Sequence, residues 1–269
     1  FMNPFKCVYL VGEVQVCTSQ ELKTLTEKSI RNNKLKITDC LYEPMGRNTA
    51  PAVALVCQNL VMQNKVEEVV GIFPSDHWIE NDQEFKNVIQ LAQKCAEKGE
   101  VVTVGIQPTY PSTGFGYIET QGEAFLNQNN LTAFSVKAFH EKPDVNKATE
   151  YIETGRFHWN SGMFVFSCQT MIEAFKVHMP DLWGSISQLK KDFSNFEEVY
   201  KSLTAQSLDY GIMEHISNQV CIPCDIGWSD LGSWDDIANM KSQGEIKNHA
   251  QALQQNSGNC FIYSSLPKS

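Results

Sequence analysis

Apolar residues in this chain follow two patterns, short continuous runs and helical spacing. Short runs predict buried strands, whereas apolar residues that recur at i, i+3 and i+4 predict helices. The runs are Val14–Cys17, Val69–Phe73, Val101–Ile106, Ala133–Phe139, Met163–Ser167 and Val220–Pro223. A clear helical pattern comprises Phe85, Val88, Ile89, Ala92 and Cys95. Because the two patterns alternate, we predict an α/β fold with a mostly parallel, doubly wound sheet and helices on both faces.

Three predicted helices begin with capping residues. Ser, Thr, Asp and Asn side chains accept hydrogen bonds from the free backbone N–H groups of a first helical turn. The predicted caps are Thr18, paired with Glu21 in a capping box, then Asn48 or Thr49 before Pro51, and Asp82, whose helix closes at Gly99. The capping residues therefore mark where helices are expected to begin within the polar segments, and the remaining polar residues are expected to form loops.

The segment from Glu43 to Ala52 runs directly into one of these helix starts. Backbone N–H groups at a helix start, together with Arg47, are suited to phosphate or ribose oxygens. A carboxylate such as Glu43 is a two-point acceptor for the N1–H and N2–H₂ donors of guanine. The alternative is a plain loop and helix cap that carries a surface arginine.

Two aspartates follow predicted strands, where α/β sheets bind their ligands. Asp76 follows the predicted strand that ends at Phe73. Asp230 lies between glycine turns and two tryptophans. Mg²⁺ takes one or two protein carboxylates and completes its shell with phosphate and water. We therefore predict that Asp76 and Asp230 form a magnesium site, with a helix-capping role as the alternative for Asp76.

Three further segments carry polar groups suited to a sugar phosphate. Gly116 belongs to a glycine-flanked loop that lets backbone approach a ligand, although tight hairpins use the same residues. Lys142 offers a cation for a phosphate and Glu141 an acceptor for sugar hydroxyls, with a solvated ion pair as the alternative. Asn160, placed just before a predicted strand, offers an amide to a hydroxyl-rich ligand.

The charge balance narrows the classes of partner. The chain has 269 residues, with 31 acidic and 22 basic side chains and a net charge of −9. Nucleic-acid-binding domains normally carry a basic stripe, so we expect no nucleic-acid partner. No apolar stretch reaches the roughly 20 residues of a membrane span, and the first residues lack the pattern of a secretory leader. We therefore expect no membrane partner and a cytoplasmic location.

The nine cysteines are scattered and mostly lie in apolar runs. We interpret them as small buried hydrophobic residues in a reducing compartment. Cys221 and Cys224 have the spacing of a redox or zinc pair, but no second pair accompanies them. A chemical role for this pair is not expected.

Seven segments in order resemble the sugar-nucleotide pyrophosphorylases and, within them, the bacterial mannose-1-phosphate guanylyltransferases. They are EPMGRNTAPA, FPSDH, STGFGYIE, FHEKPD, WNSGMFVF, SLDYGIMEH and WSDLGSW. The resemblance runs from about Val14 to Trp234. It implies a Rossmann-like fold of the nucleotide-diphospho-sugar transferase type.

The resemblance also implies an activity and residue roles. Mannose 1-phosphate and GTP would give GDP-mannose and pyrophosphate, with Mg²⁺ as cofactor. The implied catalytic residues are Lys142, Asp76 and Asp230, of which the two aspartates bind the metal. The implied nucleotide-binding residues are Glu43, Arg47, Asn48 and Thr49, and the implied sugar-binding residues are Gly116, Glu141 and Asn160. A homo-oligomer is one of the assembly states that the sequence leaves open.

One family feature is absent from the sequence. The family has a glycine-rich loop of the type GGxGxRLWPxSR after its first strand, whereas here Gly12 is followed almost at once by the strand at Val14. The residues Lys6–Leu10 also predict a strand, and only three residues separate them from the strand at Val14. Parallel neighbours need a longer crossover, so this first strand either forms an edge hairpin or is followed by a missing segment. Because the family loop belongs at this junction, we expect that a segment is missing near residues 12–13. We expect a catalytic domain over residues 1–245 and the start of a C-terminal extension over 246–269.

Three alternative functions differ in what they require. A relative without the loop would bind nucleotide sugars without making them, and another pyrophosphorylase would use a different sugar. A phosphomannose isomerase would need a cluster of metal-binding histidines, and the six histidines of the chain form no such cluster in the sequence.

Overall fold

The computed structural model describes residues 13–232. The strands of this range are β1 (Gln15–Ser19), β2 (Asp39–Glu43), β3 (Val69–Ile72), β4 (Val101–Ile106), β5 (Tyr117–Gln128), β6 (Leu131–His140), β7 (Phe157–Ser167) and β8 (Gln219–Cys224). The α-helices are α1 (Lys23–Asn32), α2 (Thr49–Met62), α3 (Asp82–Ala96), α4 (Val145–Thr154), α5 (Cys168–His178), α6 (Pro180–Ile186) and α7 (Phe196–Ser202). A single turn of π-helix covers Asp209–Met213. The six strands predicted within residues 13–232 are present, while β2 and β5 were not predicted.

The central sheet is mixed. Its six strands lie in the order β3-β7-β4-β8-β6-β5, and β4 with β8 is its parallel pair. The other pairs in this sheet are antiparallel, and β1 and β2 form a separate parallel pair. The α/β class is confirmed, but the sheet is mixed rather than mostly parallel. The difference arises because β7 runs antiparallel between β3 and β4, and because β5 and β6 form a long hairpin.

Helices cover both faces of the sheet, as expected for a doubly wound fold. Alternate residues of a strand face opposite sides. Phe164 and Phe166 of β7 pack into a core with α2, α5 and α6, whereas Met163 and Val165 pack into a second core with α3. The sheet therefore separates two hydrophobic layers.

The predicted helix starts are partly correct. The Asn48 side chain accepts a hydrogen bond from the Thr49 N–H at 2.8 Å, which confirms Asn48 as the cap of α2. At α3 the cap is Asn81 rather than Asp82, with Glu84 N–H donating to Asn81 Oδ1 at 3.0 Å. The capping box at Thr18 was wrong, because Thr18 lies within β1 and pairs with β2.

The described cysteines are free thiols, and most of them are buried. Cys221 and Cys224 both lie on β8, three positions apart, so their side chains point to opposite faces of the strand. That arrangement does not suit a redox or zinc pair. Across residues 13–232, no helix is both long enough and apolar enough to span a membrane.

Several predictions lie outside the described residues. The run at Lys6–Leu10, the junction at Gly12 and the extension over 246–269 belong to this group. The missing segment and the domain boundaries therefore stay predictions.

Candidate functional site

A cavity of about 210 Å³ lies where several loops meet the middle of β7. The loops that follow β3, β6 and β8 contribute to it, as does the loop that precedes β5. The side chains and glycine that matter chemically are His77, Gly116, Glu141, Asn160, Asp209 and Asp230. The structure therefore brings together Gly116, Glu141, Asn160 and Asp230, which were predicted from separate segments.

The Glu141 carboxylate lies close to the backbone of Gly116. A Cβ atom at position 116 would lie 2.5 Å from Glu141 Oε2, so the carboxylate would have to move away. The Gly116 carbonyl also accepts a hydrogen bond from the Asn160 N–H at 2.8 Å. The missing side chain thus makes room for a carboxylate of the cavity wall.

Asn160 lies inside β7 rather than before a strand, and its amide is fully oriented. Its Oδ1 accepts from the Gly162 N–H at 3.0 Å, so its NH₂ group faces Asp209. Nδ2 donates to Asp209 Oδ1 at 2.8 Å. Asp209 was not predicted as a site residue, although it stands in the quoted segment SLDYGIMEH.

The cavity has an acidic wall. Burial raises the pKa of Glu141, and the nearby charge of Asp209 raises it further, while Lys142 lowers it. Burial also raises the pKa of Asp209, against the effect of its bond from Asn160. Lys142 itself is largely exposed, with Nζ 4.0 Å from Glu141 Oε1. The cation therefore stands at the edge of an acidic cavity.

A short antiparallel bridge brings the loops of Asp76 and Asp230 together. Trp78 and Ser229 exchange both backbone hydrogen bonds, at 2.7 and 3.1 Å. Between these loops, Trp228 Nε1–H donates to His77 Nδ1 at 3.2 Å. Burial lowers the pKa of His77, and the charges of Asp76 and Asp230 both oppose that shift. Both carboxylates therefore act on one imidazole, although Asp230 lines the cavity and Asp76 does not.

The donor set suits Mg²⁺ if substrate supplies ligands. Over residues 13–232, no group of three or more His, Cys, Asp or Glu side chains could hold a metal ion. Two carboxylates on facing loops are the protein share of a magnesium site that phosphate and water complete. Asp76 and Asp230 fit this requirement in chemistry and in the placement of their loops.

The helix-start segment, residues 43–49, is held against α7 and does not line the cavity. Tyr200 O–H donates to Glu43 Oε1 at 2.5 Å, and the Glu43 side chain is buried. Burial raises the pKa of Glu43, and the bond from Tyr200 lowers it. Arg47 Nη2 donates to the Lys201 carbonyl at 2.8 Å, while its buried Nε has no partner among the described residues.

Two contacts join the helix-start segment to the cavity. Leu208 N–H donates to Thr49 Oγ1 at 2.8 Å, and Ala50 N–H donates to the Gln206 carbonyl at 3.1 Å. Leu208 immediately precedes Asp209 of the cavity wall. Thr49 and Ala50 thus hold the start of α2 against the chain that carries Asp209.

The fold and site define an α/β protein whose polar loops gather around one acidic cavity. The chain belongs to the nucleotidyl transferase family, whose model matches residues 7–246.

Curated relatives show where within this family the similarity lies. The chain is 34% identical to a mannose-1-phosphate guanylyltransferase of Salmonella montevideo, over 93% of this chain and 54% of the relative. It is also 34% identical to the alginate biosynthesis protein AlgA of Pseudomonas aeruginosa, over 92% of this chain and 52% of the relative. The matches confirm the resemblance drawn from the motif order. The chain spans about half the length of these relatives.

Solved structures support the same fold. A Thermus thermophilus protein described as a mannose-1-phosphate geranyltransferase aligns with a TM-score of 0.73 and 29% identity, over 88% of this chain and 65% of that one. A Helicobacter pylori protein described as a mannose-6-phosphate isomerase aligns with a TM-score of 0.68 and 29% identity, over 81% and 85%.

Proposed function

We propose that this protein is a nucleotidyltransferase that makes GDP-mannose and pyrophosphate from GTP and mannose 1-phosphate. Its family and the names of its curated relatives support this reaction. The observation that carries the proposal is the cavity, which collects Gly116, Glu141, Asn160 and Asp230 from separate segments.

The reaction depends more on the positioning of its two substrates than on acid–base catalysis. The sugar phosphate is already an anionic nucleophile, so no general base is needed. The protein must hold its oxygen in line with the α-phosphorus and stabilise the charge that develops. The carboxylates of the cavity wall repel a phosphate, but they accept hydrogen bonds from hydroxyl groups. The sugar ring therefore fits beside Glu141, with its phosphate directed to Lys142 at the edge.

Asp76 and Asp230 would hold Mg²⁺ in this site. The ion would neutralise charge on the phosphate oxygens of the substrate. The facing loops of the two aspartates, joined by the bridge between Trp78 and Ser229, support this assignment.

The helix-start segment supplies the proposed nucleotide contacts. Glu43 would read guanine, and Arg47 would bind ribose or phosphate oxygens. The unpartnered Nε of Arg47 supports a ligand contact there. The bond from Tyr200 fixes the direction of the Glu43 carboxylate and uses one lone pair of Oε1, so both carboxylate oxygens keep an acceptor site for the two guanine donors.

The proposal is tested by pyrophosphate release from GTP in the presence of mannose 1-phosphate and Mg²⁺. We expect release that depends on all three components, and formation of GTP from GDP-mannose and pyrophosphate in the reverse direction. Parallel assays replace GTP by ATP, UTP or CTP, and mannose 1-phosphate by glucose 1-phosphate.

Three outcomes would contradict the proposal. Binding of GDP-mannose without turnover would indicate a non-catalytic relative. Faster turnover of another sugar phosphate would indicate a different pyrophosphorylase, and conversion of mannose 6-phosphate alone would indicate an isomerase.

A further inference from the structure

Asp209 is a carboxylate of the cavity wall that none of the assigned roles uses. It lines the cavity at the start of the π-helical turn Asp209–Met213. In the described part of the chain, no cation lies within ion-pair distance of it, and Asn160 is the side chain that donates to it. Its own backbone N–H also bonds to the carboxylate, which still keeps lone pairs for a donor in the cavity that it lines.

Asn160 holds this carboxylate in a fixed direction. Its own Oδ1 is occupied by the Gly162 N–H, so the amide cannot turn without leaving that donor unpaired. The NH₂ group must then face Asp209, where it donates to Oδ1. Burial of this carboxylate costs stability, because the amide of Asn160 and the charge of Lys142 only partly replace the water that it loses.

Glu141 faces the same cavity as Asp209. The charge of Asp209 raises the pKa of Glu141, which means that the two carboxylates lie within electrostatic reach of each other. Two acceptors of this kind repel an anion and attract donors. Adjacent hydroxyl groups on a sugar ring would satisfy both at once.

We propose that Asp209 and Glu141 together accept hydrogen bonds from hydroxyl groups of the sugar ring, and that Asp209 determines sugar specificity. Asn160 is the positioning residue that directs Asp209, which differs from its predicted role as a sugar contact. This inference rests on the proposed function, because it names the sugar contacts of that site.

The test compares Asp209→Asn with the unaltered protein on mannose 1-phosphate and its single-deoxy analogues. The substitution keeps the shape and the bond from Asn160, and it removes the negative charge. We expect KM for mannose 1-phosphate to rise about tenfold, or about 1.4 kcal/mol, because a neutral amide replaces the charged partner of a hydrogen bond. KM for GTP should stay within about twofold, since Asp209 lies outside the nucleotide segment.

The analogues identify the contact. Removal of one hydroxyl group should weaken binding to the unaltered protein strongly and to Asp209→Asn much less, while removal of any other hydroxyl group should weaken binding to both proteins equally. Equal additional losses at every position, or an unchanged KM, would overturn the proposal.

Glu214→Gln is the matched control for charge. Glu214 lies at the end of the same π-helical turn, is exposed, and also acts on Glu141 through its charge, but it does not line the cavity. We expect its KM to stay within about twofold of the unaltered value. An increase in KM equal to that of Asp209→Asn would mean that the loss of negative charge near the cavity causes the effect. It would contradict a direct contact between Asp209 and the sugar.

Asn160→Ala tests the positioning role. Loss of its bond should raise the pKa of Asp209, because that bond lowers it. KM for the sugar phosphate should therefore become more dependent on pH at the acid end, and it should show the same deoxy position as Asp209→Asn. A pH profile parallel to that of the unaltered protein would contradict this role.

Equilibrium binding separates this inference from the proposed function. Calorimetric titration with mannose 1-phosphate and the same analogues requires no turnover. A protein that binds them with the expected pattern but transfers no nucleotide would retain the inference and refute the activity. A protein that binds none of them would overturn both.

Discussion

The cavity and the helix-start segment use their polar groups in different ways. In the cavity, Glu141 and Asp209 face an open volume, and burial raises the pKa of each. In the helix-start segment, Glu43 accepts from Tyr200, and Arg47 donates to a backbone carbonyl of α7. The cavity carboxylates therefore keep acceptor sites that the protein does not fill, whereas the polar groups of the helix-start segment bond mostly to other residues of the protein.

This difference predicts whether a substitution in each region affects ligand binding alone or also the stability of the fold. Carboxylates whose pKa is raised by burial lower stability when they ionise, so their substitution should reduce binding without unfolding the protein. Groups bonded within the protein contribute to stability, so their substitution should affect folding as well as binding. The predictions below separate the two regions on this basis.

The largest effect is expected at the proposed metal site. Asp230→Asn should lower the rate of pyrophosphate release about 100-fold, because it removes one of two metal-binding carboxylates and with it charge stabilisation. Raising the Mg²⁺ concentration should restore part of the rate. The measurement is initial rate against Mg²⁺ concentration.

Asp225→Asn is the control on the same loop. Asp225 is exposed and accepts from the Gly227 N–H at 3.3 Å, outside the cavity lining. Its rate should stay within about twofold. Equal losses in the two variants would show that the loop as a whole, rather than the Asp230 carboxylate, is responsible.

A pair of glycines compares the two regions directly. A Cβ at position 116 would meet Glu141 Oε2 at 2.5 Å, whereas a Cβ at Gly46 would meet nothing within 4 Å. Gly116→Ala should displace the Glu141 carboxylate and raise KM for mannose 1-phosphate about tenfold. Gly46→Ala should leave that KM within about twofold. Similar values for both variants would contradict a role for the close approach at Gly116.

Base selectivity tests the helix-start segment. Glu43→Gln should lower the preference for GTP over ATP about tenfold, because an amide presents only one acceptor to the two guanine donors. Tyr200→Phe should have a smaller effect, since it removes only the donor that directs Glu43. If Glu43→Gln keeps the same preference for GTP over ATP, Glu43 does not recognise guanine. The helix-start segment would then have only a structural role.

The sequence predicted the edges of the site better than its interior. β4 was predicted to the residue, because Val101–Ile106 is a continuous apolar run with buried faces on both sides. β7 was predicted only from Met163 onward, since its first half carries polar residues that look like a loop. Asn160 was therefore found as a chemical group but placed before the strand.

Asp209 was missed for a related reason. Its role depends on the amide of Asn160, which lies far away in sequence and meets it only through the antiparallel path of β7. Patterns along the chain do not report such a contact. The mixed sheet escaped prediction in the same way, because strand direction depends on pairing rather than on local spacing.

The smallest effects concern stability against pH, and they have opposite signs at Glu141 in the cavity and at Glu197 on α7, the helix that holds the helix-start segment. Burial raises the pKa of Glu141, so its ionisation lowers the free energy of unfolding as pH rises above the ordinary value of 4.5. A hydrogen bond from Lys201 on α7 lowers the pKa of Glu197, so its ionised form stabilises the protein above that value, and this is lost as pH falls through the lowered pKa. Urea unfolding should therefore show Glu141→Gln as more stable than the unaltered protein at pH 7 and Glu197→Gln as less stable. Both differences should shrink at pH 3, where the carboxyl groups approach full protonation. A destabilised Glu141→Gln at pH 7 would mean that the Glu141 carboxylate is stabilised within the protein like that of Glu197, and the contrast between the two carboxylates would be lost.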